Sequence, residues 1–210
     1  GIGLRQAVRT GVASLFHTLR HIRQHRQVAR FLVARTLYND GLNTLFAFGA
    51  IYAAGTFGMD FAEIVMFGIA LNVAAGLGAL AFSWVDDRVG GRATILFALG
   101  CLMVLGTGLL LIQSATWFWV LGCVLGIFFG PVQAASRSMM ARLAPPDLTA
   151  EMFGLYALSG RIIAFMGPLL LAIATDVFES QRAGMATILI FFVLGFVLLL
   201  GVREPEREAS

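Results

Sequence analysis

Two of the apolar stretches in this sequence carry ionisable side chains near their middle. The first contains Arg35, Asn39, Asp40 and Asn43, and the fifth contains Arg161. A charged group in hydrocarbon costs at least about 2.5 kcal/mol even on lenient insertion scales, so such residues persist where they face other helices or water. Side chains of these types can bind a polar solute, form an internal ion pair or exchange a proton.

Asp40 and Arg161 lie at similar depths within their stretches. At about 1.5 Å per helical residue, Asp40 lies about 14 Å and Arg161 about 15 Å from the start of its stretch, in a hydrocarbon core about 30 Å thick. We therefore predict that the two side chains meet near the midplane. They form either an ion pair that only fixes two helices, or part of a polar cavity in which Asp40 is the better candidate for carrying a proton.

The polar side chains divide the apolar stretches into two groups. The third and sixth stretches hold no ionisable residue and can face lipid, whereas the first, fourth and fifth should face an interior or an aqueous cavity. Arg35, Asn39 and Asn43 recur at four-residue spacing and share one helix face. The residues predicted to line a pathway for solute or ion are Arg35, Asn39, Asp40, Asn43, Asn72, Gln133, Tyr156 and Arg161.

The composition requires lipid as the solvent for most of the chain. Of the 210 residues, 59% are hydrophobic and 13% are charged, about half the usual quarter for soluble domains. All the basic residues are arginines, and they cluster just outside the apolar stretches, as membrane topology requires. We therefore expect a lipid bilayer as the partner, and no nucleic acid. His17, His21 and His25 lie four apart near the N-terminus, but a zinc site needs more ligands, so no metal site or cofactor is predicted.

Six membrane spans are predicted, at residues 31–54, 62–84, 93–113, 116–136, 151–175 and 183–202. They form a transmembrane domain over residues 31–205, after an amphipathic cytoplasmic segment at residues 1–30 and before a tail at residues 206–210. Arginines concentrate in both terminal segments and in the links after the second and fourth spans. This distribution, together with an even number of crossings, places both termini in the cytoplasm.

Glycines at regular spacing predict close contacts between spans. Gly122, Gly126 and Gly130 recur every four residues in the fourth span and are named the glycine stripe below. Gly68 and Gly76 lie on one face of the second span. Small residues at such spacing let helix backbones approach closely in a bilayer, so packing is the preferred interpretation for both sets.

Two spans also contain a glycine followed by a proline, at Gly130–Pro131 and Gly167–Pro168. Proline removes a backbone donor and can kink or loosen a helix. Helix packing and gating both remain open as the purpose of these two pairs.

The link after the second span contains a motif. It reads SWVDDRVGGR over residues 83–92 and resembles the cytoplasmic signature loop of the major facilitator superfamily. That loop consists of Gly, three residues, Asp, Arg, any residue, Gly, any residue and basic residues. Asp87, Arg88, Gly90 and Arg92 fit the pattern, whereas Ser83 replaces the leading glycine and the second closing basic position is alanine.

Three longer stretches are similar to the vacuole-effluxer branch of that superfamily, also called the unknown-major-facilitator family. They read LYNDGLNTLFAFGAIYAAGTFGM, GPVQAASRSMMARLAPP and EMFGLYALSGRIIAFMGPLL, and the resemblance covers roughly residues 28–205. It implies an all-α membrane protein with six transmembrane helices in two inverted three-helix repeats, following an N-terminal amphipathic helix. By this resemblance the chain would correspond to the C-terminal half of a twelve-helix transporter.

The resemblance further implies a cytoplasmic gate, in which the signature-loop aspartate engages neighbouring helix ends and basic residues. Simple anchoring of loops to lipid headgroups is the alternative. The matching residues are Asp87, Arg88, Gly90, Arg92, Arg137, Arg142 and Glu151.

Three classes of function are compatible with these features to different degrees. The leading hypothesis is half of a secondary transporter in a bacterial plasma membrane, which moves a small polar solute such as an amino acid by alternating access, with protons as the candidate coupling ion. Its partner would be the N-terminal six-helix half or a second copy of this chain. The alternative is an isolated half that forms a homodimeric or structural module without transport. An enzyme is not expected, because the spaced Asp and His clusters that such chemistry requires are absent from the sequence.

Overall fold

The computed structural model describes residues 25–204, and every regular element within that range is an α-helix. The amphipathic segment and the tail lie largely outside the described residues, so their predicted structure stays a prediction. The first helix begins at Arg26, earlier than the predicted span boundary at residue 31. The helices are α1 (Arg26–Phe57), α2 (Phe61–Val89), α3 (Gly91–Leu111), α4 (Ala115–Leu143), α5 (Thr149–Ile162), α6 (Met166–Val177) and α7 (Gln181–Leu200).

Five helical segments in the described range are long and apolar enough to cross a membrane. Four are single helices, α2, α3, α4 and α7, and the fifth is formed by α5 and α6 together over Thr149–Val177. At 32 residues α1 is also long enough, but its polar centre keeps it out of this set. The prediction of a multi-pass membrane protein is therefore confirmed, while the sixth span remains a prediction.

The turn between α1 and α2 illustrates how local sequence sets the helix ends. Gly58 ends α1 in the left-handed conformation, with φ of 65°, which glycine adopts without steric cost. Asp60 then caps α2, because its Oδ1 accepts the Glu63 N–H at 2.8 Å. The Glu63 side chain accepts the Asp60 N–H in return, at 3.0 Å. This reciprocal capping box satisfies donors that a helix start leaves open.

The bundle is built from two extensive helix pairs. In one pair α2 packs along α4, in the other α1 packs along α7, and α3 lies against both α4 and α7. The glycine stripe of α4 contacts α2 at three successive turns, where its neighbours are Phe67, Leu71 and Ala75. The prediction of close packing is thus confirmed for α4. It is wrong for Gly68 and Gly76, since a Cβ atom at either position would have no neighbour within 4 Å.

The fifth predicted span is interrupted. Residues 163–165 form a turn between α5 and α6, and Pro168 lies in the first turn of α6. Proline is tolerated there because the first amides of a helix need no intrahelical acceptor, whereas its ring clashes with the carbonyl four residues earlier in a continuing helix. Pro168 therefore favours the start of a new helix at this point. At the other glycine–proline pair, α4 continues through Pro131.

Candidate functional site

The break in the fifth span brings the start of α6 to Asp40 of α1. The Asp40 side chain is buried, with 1% of its surface exposed. Its Oδ2 accepts the Gly167 N–H at 2.8 Å, so the carboxylate caps the positive end of the α6 helix dipole. Oδ1 is also buried and has no hydrogen-bond partner among the described residues. Asp40 therefore retains an open acceptor beside a helix N-terminus.

The predicted meeting of Asp40 and Arg161 is wrong. Arg161 lies at the end of α5, its side chain is exposed, and its guanidinium has no hydrogen-bond or ion-pair partner within residues 25–204. The physical reason is the helix break, after which α6 begins beside Asp40 and the Gly167 amide binds its carboxylate. Depth along a straight helix could not anticipate this exchange.

Arg35 is held between α1 and α5. Its Nη1 donates to the Tyr156 carbonyl at 2.7 Å and to Ser159 Oγ at 3.2 Å. The guanidinium carbon also lies 3.4 Å from the centroid of the Tyr156 ring, a cation–π contact. Only 7% of the Arg35 surface is exposed. The sequence prediction placed Arg35 and Tyr156 in one pathway, and the structure brings them into direct contact.

A second polar contact joins α1 to α4 next to Arg35. Gln133 Nε2 donates to Asn39 Oδ1 at 3.2 Å. The Tyr38 and Ser136 hydroxyls share a buried hydrogen bond of 2.7 Å. We name Arg35, Asn39, Gln133 and Tyr156 the polar cluster. Tyr38 was missed from the sequence because a tyrosine in an apolar stretch gives no sign of which helix its hydroxyl will meet.

Besides Asp40 and Arg161, two further predicted pathway residues lie outside this cluster. Asn43 follows Asn39 on the same face of α1, but its side chain is exposed. Asn72 is also exposed and donates to the Gly68 carbonyl of its own helix at 2.8 Å. The face of α1 that carries Arg35 and Asn39 is therefore exposed at Asn43, one turn beyond the polar cluster. Asn72 makes no polar contact with another described helix.

Near the C-terminal end of α2, Arg142 of α4 binds two carboxylates. Its Nη1 lies 3.1 Å from Asp86 Oδ1 and 2.7 Å from Glu204 Oε1. The family resemblance implies that Asp87 of the signature loop engages Arg142 or Arg137, and this pairing is wrong: Asp86 is buried, whereas Asp87 and Arg137 are exposed. Successive helical residues point about 100° apart, so only one of the two aspartates can face α4.

Glu204 was missed from the sequence and organises this end of the bundle. Its carboxylate accepts the Gly91 and Arg92 N–H groups at 3.1 and 3.0 Å, and thereby caps α3. Gly90 precedes them with φ of 98°, and a Cβ there would lie 2.7 Å from Glu204 Oε2. The signature loop therefore needs glycine at this position both for its backbone conformation and for close approach of the carboxylate.

The remaining predicted gate residues lie near this network. Arg88 is exposed and stacks over the Trp84 ring, 3.4 Å from the centroid. Arg92 Nη2 donates to the Leu200 carbonyl at the end of α7, at 2.8 Å. Glu151 is half-buried near the start of α5. The structure thus ties Gly90, Arg92 and Arg142 to Glu204, while Asp87, Arg88 and Arg137 face outward.

The Glu204 carboxyl is expected to stabilise the fold through its charged form. Burial raises the pKa of Glu204, but the Arg92 amide, the Arg142 guanidinium and the Gly91 amide together hold this pKa below its usual value. We expect Glu204→Gln to lower the free energy of unfolding by about 1.5–3 kcal/mol, as for loss of hydrogen bonds to a charged group. Thermal unfolding of the detergent-solubilised protein at pH 7 measures the difference.

The same substitution has a defined pH dependence. Because the folded-state pKa lies below the unfolded value of about 4.3, the stabilisation is complete above that value. It is lost as the pH falls through the folded-state pKa. The difference in unfolding midpoint between wild type and Glu204→Gln should therefore vanish in acid, whereas Asp87→Asn, at an exposed neighbour, should show little difference at pH 7. A gap that persists unchanged at pH values where the Glu204 carboxyl is protonated in the folded protein would contradict this account.

Within residues 25–204 no group of three His, Cys, Asp or Glu side chains is placed to hold a metal ion. The polar groups that converge between α1, α4 and α5 are instead a guanidinium, two amides and a phenol. Such groups can bind a polar solute through hydrogen bonds and charge. The neighbouring carboxylate of Asp40 can accept a proton or a hydrogen bond.

Comparison with known proteins gives a consistent result. A family described as vacuole effluxers like Atg22 matches residues 3–208. The relative named "Uncharacterized MFS-type transporter YxiO", from Bacillus subtilis (strain 168), is 27% identical over 190 residues, which cover 90% of this chain and 44% of that protein. "Autophagy-related protein 22" from Coccidioides immitis (strain RS) is 27% identical over 214 residues, 94% of this chain and 36% of that protein. The chain therefore spans less than half the length of these relatives.

Proposed function

The chain belongs to the family of vacuole effluxers like Atg22, and from this membership we propose that it is one half of a secondary transporter that moves a small polar solute by alternating access. The family is one of transporters, not of enzymes, and it confirms the resemblance found in the sequence. One observation carries the proposal: α1 holds the charged side chains of Arg35 and Asp40 buried inside a largely apolar bundle. Ionisable groups persist in such positions where a polar pathway needs them.

The architecture that we propose is a pair of inverted three-helix repeats. The first repeat would comprise α1, α2 and α3, and the second α4, the α5–α6 pair and α7. In this arrangement α1, α2 and α3 correspond to α4, the α5–α6 pair and α7. The α1–α7 contact then corresponds to the α4–α3 contact, and the α2–α4 contact corresponds to the α5–α1 contact. All four contacts are present. This pattern supports the proposal. It places α1 and α4, which contribute most of the polar cluster, at equivalent positions.

We propose that the partner of this bundle packs on α2 and on the α5–α6 pair. In these two segments 11% and 12% of the span residues are buried, against 33% to 39% in α3, α4 and α7. Both segments contact α1, which carries Arg35 and Asn39. A partner on this side would enclose a route that one bundle leaves open, and the N-terminal half of the same transporter is the preferred partner because the relatives are more than twice as long.

The location follows from the same features. We propose a bacterial plasma membrane, because a Bacillus subtilis protein is among the relatives, with both termini in the cytoplasm as the arginine distribution favours. The ends of α2, α4 and α7 around Arg142 and Glu204 would then form the cytoplasmic gate, together with Asp87, Arg88, Gly90, Arg92, Arg137 and Glu151.

Replacement of Asp40 tests the coupling step. We propose that Asp40 carries the coupled proton, since its buried Oδ1 has no partner while Oδ2 binds the Gly167 amide. Asp40→Asn keeps an acceptor for Gly167 and removes the titratable group. We expect pH-driven solute flux in proteoliposomes of the full-length protein to fall to the level of protein-free liposomes. Amino acids are the first solutes to assay.

The matched control is Asp176→Asn, at an exposed aspartate near the end of α6. It removes the same charge and should leave flux unchanged. Wild-type flux in the Asp40→Asn protein would exclude Asp40 from coupling. A full-length wild type that moves no solute under any gradient would remove the transporter proposal itself.

A second candidate is a module without transport, and the weakly buried faces of α2 and the α5–α6 pair, which a second copy of this chain can cover, are the observation that favours it. Such a module would be a monomer or a symmetric dimer that buries the faces of α2 and α5–α6. The mass of the detergent-solubilised chain, combined with the flux assay, separates the candidates. A monodisperse species without flux supports the module, whereas a dimer with flux supports a homodimeric transporter.

A further inference from the structure

Arg35 is a buried cation whose counter-charge is missing from the described chain. Arginine stays protonated in proteins, and a buried charge is costly unless it is paired and hydrogen-bonded. The ion pairs found among residues 25–204 involve Arg142 and leave Arg35 without one. A carbonyl, a hydroxyl and an aromatic ring are its neighbours. These groups compensate a full charge only in part.

Asp40 does not fill this role. It lies five residues further along α1, a rise of about 7.5 Å. Its Oδ2 atom accepts the hydrogen bond from the Gly167 amide. The two charged groups of α1 therefore have separate surroundings, one at the helix break and the other against Tyr156.

The polar atoms around Arg35 that have no partner among the described residues are mainly hydrogen-bond donors. The Arg35 Nε and the Tyr156 hydroxyl are buried without a partner among the described residues. A Cβ placed on Gly160 would lie 3.1 Å from Arg35 Nη1 and 3.3 Å from Asn39 Nδ2. The guanidinium and the amide therefore converge at the Gly160 backbone, and the absence of a side chain at Gly160 lets both donors approach α5 closely.

Donors that converge around an unpaired guanidinium form a site for an oxyanion. A guanidinium presents its N–H groups in a planar fork that matches a carboxylate, and such charge-assisted pairs are about twice as strong as neutral hydrogen bonds. We propose that Arg35, assisted by Asn39 and the Tyr156 hydroxyl, binds a carboxylate group of the solute. This inference rests on the proposed transport function and assigns the part of the solute that the site recognises.

A protein carboxylate from a partner half is the other source of the same chemistry. Such a residue would hold Arg35 permanently and would leave no room for a small anion. The two sources differ in whether a carboxylate added to the full-length protein can reach the site.

Propionate and propionamide provide a matched pair of probes. They have similar size and shape, but only propionate carries the charge. In the full-length detergent-solubilised protein, we expect propionate at ten times its dissociation constant to raise the unfolding midpoint by about 1–3 °C. Propionamide should have no effect, and sodium chloride at equal ionic strength corrects for salt.

Variants connect the response to Arg35. Arg35→Gln should abolish the propionate shift. Arg35→Lys keeps the charge but lacks the planar fork of the guanidinium, so it should weaken the shift. The lysine variant replaces the glutamine variant if the latter does not fold. Arg203→Gln, at an exposed arginine after α7, should respond as wild type. Equal shifts with propionate and propionamide, an unchanged shift in Arg35→Gln, or no shift in wild type would each overturn the inference, the last because a protein carboxylate then holds the site.

This measurement and the flux assay fail independently. A protein that binds propionate through Arg35 but moves no solute has the anion site without the transport function. A protein that transports solute but shows no propionate response retains the proposed function and loses this inference.

Discussion

Alanine at Gly130 is expected to force α2 and α4 apart and to destabilise the bundle strongly. A Cβ at Gly130 would overlap the backbone carbonyl of Ala75, and a Cβ at Gly78 would overlap the carbonyl of Ile127. Backbone atoms cannot rotate away as a side chain can, so the helices must separate along their whole contact. Overpacking costs about 1–3 kcal/mol and occasionally more, and we expect either substitution to reach the upper end of that range.

Gly76 provides the control on the same helix. A Cβ at this position would meet nothing within 4 Å, and alanine has a higher helix propensity than glycine by about 1 kcal/mol. Gly76→Ala should therefore be neutral or mildly stabilising. Unfolding midpoints of Gly130→Ala, Gly78→Ala and Gly76→Ala in detergent compare them directly. If all three are equally stable, the close approach of α2 and α4 is incorrect.

The contact between these helices also explains Pro131. Proline has no N–H, so Pro131 cannot donate to the carbonyl of Ile127 in the usual bond to the fourth preceding residue. That carbonyl is the one that lies against Gly78. A carbonyl released in this way can take a weak contact from the Cα–H of a glycine on the neighbouring helix. Of the two purposes open for the Gly130–Pro131 pair, packing is therefore the one with a structural observation behind it.

The sequence predicted the helical class, the apolar spans and the polar character of α1, because these depend on composition along single helices. It also identified the glycine stripe, since four-residue spacing is a property of one helix. It chose the wrong glycines in α2: Gly68 and Gly76 have the expected spacing, but spacing alone does not determine which face meets α4. Gly78 makes the contact without any partner glycine to mark it.

The errors at the two polar sites have a common origin in contacts between distant segments. Asp86 and Asp87 are adjacent, and only the packing of α2 on α4 decides which one meets Arg142. Glu204 caps α3 from beyond the end of α7, and no local pattern connects the two. Arg35 and Tyr156 were both selected from their polarity, yet their stacking depends on how α5 packs against α1.

Alanine at Gly167 is expected to have the second large effect, because Gly167 lets α6 reach Asp40. A Cβ on Gly167 would overlap the buried Thr44 hydroxyl, and it would lie 3.3 Å from Asp40 Oδ2. The start of α6 would have to move away from α1, and the bond between the Gly167 amide and Asp40 would break. Overpacking and loss of a hydrogen bond to a carboxylate together predict a loss of about 2–4 kcal/mol.

A second substitution separates this clash from a general intolerance of alanine at the helix break. Thr44→Ala removes the hydroxyl that a Gly167 side chain would meet, so in the Gly167→Ala protein it should restore part of the lost stability. The two changes should be non-additive in a double-mutant cycle of unfolding free energies. Since the restored contact returns the amide to Asp40, pH-driven flux should recover with stability. Additive losses would mean that α6 does not begin against Thr44, and the cap that leaves Asp40 Oδ1 open for a proton would then lack its structural basis.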